Sequence, residues 1–350
     1  MNTFDHIEEL RKLGGFYESI KFSSTFSKSE DYKKYINNNS FGKFLEGFDS
    51  APDRLGIWGE KLINNINNSL KLAGYSYSER FFICTLPYIN DPAFTYSLPN
   101  DDNIIIVNCT IDLMLTQLSS SFYEYSLKQI LNQNKKQIHE QLCVCLREYF
   151  EVFCNRNPRY FDITGIMNCR DVSLNEGLYI KDAILTFILL HECSHNFLKH
   201  TKRHINIFND DGEIDYEKVM LSKEMEFEAD RLAIQLYFEC SKYHNDFYLF
   251  KALQDYWFAP LLLFDFLLLK DKLNNNNKNE NILTLHPSPM DRKLALEKII
   301  KSKFSISSEY NKIFVYAEIF TALYCDPITM PSILVSDIIK LTGNILLLSK

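Results

Sequence analysis

Several common signatures are absent from this sequence. No two of its nine cysteines form a C-x-x-C pair, and their odd number argues against a disulfide framework. The serine-hydrolase motif G-x-S-x-G and the glycine-rich phosphate-binding loop are also missing. We therefore expect reduced thiols and a cytoplasmic location, and we find no support for a serine hydrolase or a P-loop enzyme.

The sequence also lacks a long apolar run. Its longest runs, ILTFILL and FAPLLLFDFLLL, are shorter than the roughly 20 residues of a membrane helix, and Asp265 interrupts the second. The N-terminal segment MNTFDHIEELRKLGG has no apolar region of the kind found in secretion signals. These features predict a protein without a membrane segment.

Positive charge is in short supply as well. The chain has 38 Lys and Arg residues against 45 Asp and Glu residues, which gives a net charge of -7. Binding to a nucleic-acid backbone needs clustered basic side chains, so this balance argues against a nucleic-acid partner. The basic group Lys199, Lys202 and Arg203 is better explained as a solvated helix end.

The pattern of apolar residues predicts a mainly helical α+β protein. Two β-branched and aromatic segments flank the turn-forming stretch PNDDN, so we expect a small antiparallel sheet over about 80–108. Residues 1–78 form a predicted helical and loop region of unassigned role, followed by a main domain over 79–350.

Four further helices are expected in the main domain. We predict one over about 178–200, a second over about 216–241, and a third over about 246–272 that Pro260 kinks or divides. The segment HPSPMDRKLALEKII begins the fourth.

The first of these helices contains the motif H-E-x-x-H, formed by His191, Glu192 and His195. Residues i and i+4 lie on the same helix face about 5–6 Å apart, so the two imidazoles can bind one Zn²⁺ ion. Glu192 follows the first histidine and is placed to act as a general base on a zinc-bound water. The alternative is an apolar helix with chance histidines, and a third ligand would distinguish the two.

His200 is a poor candidate for that third ligand. It lies about 140° around an ideal helix from His195, so it would face away from the metal if the helix continued. In addition, position 198 is Leu and position 201 is Thr, so the metzincin pattern H-E-x-x-H-x-x-G-x-x-H is not met. We predict a polar residue at a helix end.

The following helix offers a better ligand in the segment KEMEFEADRLAIQL. Glu226 is the predicted third ligand, and Asp230, one turn later, is predicted to accept the free N–H of a zinc-bound histidine. Glu224 and Glu228 lie about 160° away from Glu226 on the helix, where solvent exposure is expected.

These motifs together resemble the gluzincin zinc metalloproteases of the HtpX type. The resemblance consists of H-E-x-x-H, E-x-x-A-D on the next helix, and the later segment LHPSPMDR. It implies that His286 lies near the zinc and stabilises the oxyanion, and that Arg292 forms structural ion pairs. It departs from the family at Leu285, where the family pattern has Thr, and in lacking membrane helices.

The soluble phage-exclusion proteases are similar in the same motifs. That resemblance implies a zinc endopeptidase that a phage-derived or host activator triggers and that cleaves a host protein, with a translation elongation factor as one suggested target. An extended substrate is expected to pair with an edge strand around 93–108, for which NIIIVN is the first candidate, and a buried core strand is the equal alternative for that segment. A non-catalytic zinc-containing sensor or binding protein of a defence system remains the alternative.

Overall fold

The structure is a computed structural model of the 350-residue chain. It describes residues 2–13, 54–75, 79–86, 92–108, 111–130, 171–202, 216–243, 253, 256–275 and 286–303. Within these ranges the chain is mostly helical with one small sheet, which confirms the predicted mainly helical α+β class.

The described elements follow the chain in a simple order. The helices are α1 (Thr3–Leu13), α2 (Arg54–Leu72), α3 (Ile111–Ile130), α4 (Asp171–Phe197), α5 (Tyr216–Tyr243), α6 (Ala259–Asn275) and α7 (Pro289–Lys303). The strands β1 (Arg80–Leu86), β2 (Ala93–Ser97) and β3 (Asp102–Asn108) lie between α2 and α3, and a short 3-10 helix (His200–Lys202) follows α4.

The sheet has the strand order β1-β3-β2 and is mixed rather than wholly antiparallel. β2 pairs antiparallel with β3, as predicted, but β1 pairs parallel with β3 on its other side. The prediction of an antiparallel sheet was wrong for β1. A turn signal in the sequence shows only that the two strands beside it form a hairpin, and it does not determine how a third strand pairs. Every residue of β3 is buried, which explains its unbroken apolar run. NIIIVN is therefore a central strand and has no free edge for a substrate.

A tight turn joins β2 and β3 at the stretch predicted for it. The Asp101 N–H donates to the Leu98 carbonyl at 3.0 Å, and the Leu98 N–H donates to the Asp102 carbonyl at 2.7 Å. Asp101 has a φ of 62°, a left-handed conformation that Asp tolerates better than most residues. The short loop fixes the register that pairs Ser97 with Asn103.

Helix α1 covers one face of the sheet. Ile7 is buried in an apolar cluster with Cys84, Leu86, Ile104 and Ile106. At the same interface Thr3 donates to the Asp102 carboxylate, and the Arg80 Nε lies 3.1 Å from the other Asp102 oxygen.

Two compact units make up the chain. The first contains Met1–Met114, Asp182–Trp257 and Asn281–Pro287, and the second contains Leu115–Lys181, Phe258–Glu280 and Ser288–Lys350. The proposed division into 1–78 and 79–350 stays a prediction. Among the described residues, no helix has both the length and the apolar character needed to cross a membrane.

The predicted helices of the main domain largely match the described ones. α5 agrees with the prediction, whereas α4 begins earlier than predicted and ends at Phe197 instead of 200. Pro260 lies in the first turn of α6, where its missing N–H costs no helical hydrogen bond, and so it marks a helix start rather than a kink. Residues 246–252 of the predicted third helix lie outside the described residues.

In the second unit, Gly177 of α4 lies against the backbone of Ser120 on α3. A Cβ at this position would be 2.7 Å from the Ser120 Cα and backbone N. We expect Gly177→Ala to lower the free energy of unfolding by about 1–3 kcal/mol, because a backbone contact cannot move away. Thermal and urea unfolding would measure it.

Gly59→Ala is the matched control. The nearest atoms to its Cβ would be those of the Ile83 side chain, at 3.2 Å and beyond, and not a backbone. Equal stability of the two variants would contradict the close helix contact at Gly177.

Candidate metal centre

Three side chains from two helices converge in the first unit. The Nε2 atoms of His191 and His195 are 3.1 Å apart. The Glu226 carboxylate lies 3.4 Å from each of them, with Oε2 on His191 and Oε1 on His195. These three residues, called the triangle below, each offer one ligand atom within 4.8 Å of the others, and they are the group of described residues that can hold a metal ion.

The distances between these ligand atoms can be compared with the distances between ligands around a bound zinc ion. Zinc bound tetrahedrally at about 2.0–2.1 Å from its N and O ligands places those ligands roughly 3.3 Å from one another. The Nε2–Nε2 separation of 3.1 Å and the two N–O separations of 3.4 Å, each to a different oxygen of Glu226, are close to that value. Two imidazoles and one carboxylate also leave a fourth position open, as in catalytic zinc sites.

The surroundings of the triangle favour a cation. Glu226 and Glu192 are each 7% exposed, and Asp230 is 2% exposed. Buried carboxylates are costly unless an opposite charge or hydrogen bonds compensate them. A divalent cation between the histidines and Glu226 would supply that charge.

Asp230 supports the first histidine from behind. Its Oδ1 lies 3.0 Å from the Nδ1 of His191, the ring nitrogen that points away from the triangle. An acceptor there holds the proton on Nδ1 and leaves Nε2 free as a ligand. The placement matches the role predicted for Asp230.

Glu192 and Cys193 follow His191 within the same buried turn. Glu192 is in the position next to the ligand that a general base occupies in this motif, and its role stays a prediction. Burial, together with the nearby Glu192 and Cys240, raises the pKa of the Cys193 thiol well above its ordinary value. Cys193 is 1% exposed and is thus a packed thiol, as the sequence indicated.

The third motif contributes His286, which contacts the triangle, and Arg292. Its Nδ1 lies 3.2 Å from the Glu226 Oε1, while its side chain is 60% exposed. Arg292 belongs to the second unit, where its guanidinium lies over the Phe264 ring at 4.9 Å. The neighbouring Lys293 forms a buried ion pair with Asp265 at 2.7 Å in that unit.

Asn196, directly after the motif, was not singled out from the sequence. It is buried, and its Nδ2 donates to the Thr95 Oγ1 at 2.8 Å and to the Glu192 carbonyl at 3.1 Å. Its Oδ1 lies 3.2 Å from the hydroxyl oxygen of Ser97 and 3.2 Å from that of Thr201. Asn196 thereby ties strand β2 to the end of the metal-site helix.

His200 lies closer to the triangle than the sequence predicts. It is not one of the three triangle residues, as predicted, but it does not face away from them. Its Nδ1 lies 3.1 Å from the Nδ1 of His195, and its Nε2 lies 3.2 Å from Glu228. Glu228 is half-exposed, as expected for a solvated residue, yet it reaches His200.

Comparison with known proteins returned no match. No protein-family model matches the chain, and neither a curated protein nor a solved structure is significantly similar to it. The interpretation of the site therefore depends on its residues and their geometry.

The register of α5 at the site can be tested with two glutamates one half-turn apart. Loss of a residue that supports a metal ligand typically weakens metal binding about 10–100-fold. We expect Glu226→Ala to weaken zinc binding by more than this, because the substitution removes a ligand itself. Glu224→Ala should leave the affinity unchanged, because Glu224 is exposed. Titration against a chromophoric chelator measures both, and the reverse result would contradict the assigned register.

Proposed function

We propose that this protein is a zinc-dependent endopeptidase. The main support is the group of His191, His195 and Glu226, whose N–N and N–O separations are close to those around tetrahedral zinc and whose first histidine contacts Asp230. The H-E-x-x-H motif adds Glu192 beside it, which a purely structural metal site does not need.

In this proposal the Nε2 atoms of the two histidines and the carboxylate of Glu226 would hold a zinc ion. Bound zinc would supply Lewis acidity, lowering the pKa of a coordinated water to about 7 and polarising a carbonyl group. Asp230 keeps His191 in the required tautomer. Glu192 takes up a proton from the attacking water and delivers it to the leaving amine.

His286 is proposed to assist at the solvent side of the site. Its contact with Glu226 places the imidazole beside the triangle, and its exposure leaves it reachable by a substrate. An N–H donor there can stabilise an oxyanion that forms during attack on a peptide bond. Arg292 is proposed to support the fold of the second unit rather than the chemistry.

The proposed biological role depends on the resemblance of three motifs to phage-exclusion proteases. We propose a cytoplasmic enzyme that remains silent until a phage-derived or host partner activates it, and that then cleaves a host protein. The order of the motifs supports this role, whereas the loop between His195 and Glu226 is longer than in those proteases. A translation elongation factor is one substrate to test first.

The catalytic assignment is tested by Glu192→Gln. We expect this variant to retain zinc and to lose about 100- to 10,000-fold of the activity, because the amide cannot accept a proton. Elemental analysis would measure zinc per chain, and mass spectrometry of new N-termini would measure cleavage in lysates of phage-infected cells.

His195→Ala is the companion variant and should lose both zinc and activity. Equal cleavage by wild type and Glu192→Gln would contradict the role of Glu192. Zinc bound by the wild type without cleavage of any protein would favour the non-catalytic sensor, and failure to bind zinc would contradict the metal site.

A further inference from the structure

The two histidines of the triangle differ in what lies behind them. His191 has a buried carboxylate, Asp230, at its outer ring nitrogen. His195 has instead the imidazole of His200 at 3.1 Å, and His200 has in turn the Glu228 carboxylate at 3.2 Å. None of the motifs above predicts this arrangement, in which a second histidine and then a carboxylate lie behind a ligand histidine.

We propose that His200 and Glu228 form a relay that orients His195 for metal binding. The proposal depends on the metal site of the proposed function and assigns both residues as positioning residues. Asp230 orients His191 by a direct hydrogen bond. In the relay, His200 orients His195 in the same way, and Glu228 in turn orients His200.

When the rings of His195 and His200 are both neutral, only one arrangement of their protons satisfies all the hydrogen bonds of the relay. His195 directs Nε2 into the triangle, so its proton lies on Nδ1 and is donated to the Nδ1 of His200. That atom must then be an acceptor, which places the His200 proton on Nε2. The Nε2–H of His200 is donated to the Glu228 Oε2, so each atom finds its complement.

Burial makes the relay more than a surface contact. The His200 side chain is only 2% exposed, whereas Glu228 is 53% exposed. Buried polar groups are nearly always hydrogen-bonded, because an unpaired one costs about 1–3 kcal/mol. The two partners account for both ring nitrogens of His200, and Glu228 closes the chain at the solvent side.

The backbone after α4 is shaped to return His200 to the site. The helix ends at Phe197, and Lys199 adopts a left-handed φ of 59°, which turns the chain back. Thr201 then accepts or donates a hydrogen bond with the Ser97 Oγ at 2.9 Å, which holds the 3-10 helix against β2. A continuing α-helix would have carried His200 away from His195.

The relay can be tested with three substitutions and one control. His200→Phe keeps a ring but removes both nitrogens, whereas His200→Asn keeps an oxygen able to accept from His195. Glu228→Gln keeps an acceptor for His200 without the charge. Glu224→Gln is the matched control, since it removes an exposed carboxylate one turn earlier on the same helix.

Two measurements report on the metal and not on activity. The zinc dissociation constant is obtained by competition with a chromophoric chelator, and the visible absorption of the Co²⁺-substituted protein reports ligand geometry. We expect His200→Phe to weaken zinc binding about 10–100-fold and to change the Co²⁺ spectrum. His200→Asn and Glu228→Gln should lose less, and Glu224→Gln should match the wild type.

The outcomes separate the relay from the metal site itself. Wild-type affinity and spectrum in a folded His200→Phe would overturn the relay and leave the metal site intact. If His200→Phe does not fold, unchanged affinity in both His200→Asn and Glu228→Gln would overturn it. A wild-type protein that takes up neither Zn²⁺ nor Co²⁺ would overturn the proposed function, and the relay with it.

Discussion

The meeting of two imidazole nitrogens and one carboxylate within 3.4 Å is the constraint on which the first unit depends. These groups lie in a largely buried setting, where each polar atom needs a partner and each charge needs compensation. The C-terminal end of α4 and the middle of α5, which meet here, therefore carry further polar side chains. Asp230, His200 and Asn196 occupy the positions behind and beside the triangle.

Hydrogen bonds connect the helix that carries the triangle histidines to the sheet. Asn196 connects the backbone of the motif to Thr95 and Ser97 of β2, and Ser97 also contacts Asn103 of β3. β2 is an edge strand next to the site, while β3 is central and buried. The short hairpin that fixes their register thus also fixes the part of the sheet nearest the site, so a local turn bears on the geometry of a distant helix.

The two triangle histidines are held in unequal environments. Asp230 is almost fully buried, so its hydrogen bond to His191 is shielded from water and strengthened by the low local dielectric. The chain behind His195 ends at Glu228, a half-exposed carboxylate whose charge water partly screens. A change at the surface can reach the site through His195 more directly than through His191.

The sequence by itself determined the features that follow from helical periodicity and local turn chemistry. His191 and His195 share a face because they are i and i+4, and Glu226 with Asp230 repeats that spacing, so the triangle could be read from the chain. Tertiary structure alone decided the position of His200, because that position depends on α4 ending at Phe197 and on the turn at Lys199. It also decided the mixed sheet and the bond of Asn196 to β2. Strand order and contacts between residues about 100 positions apart are set by packing of the whole unit, and no local pattern of residues encodes them.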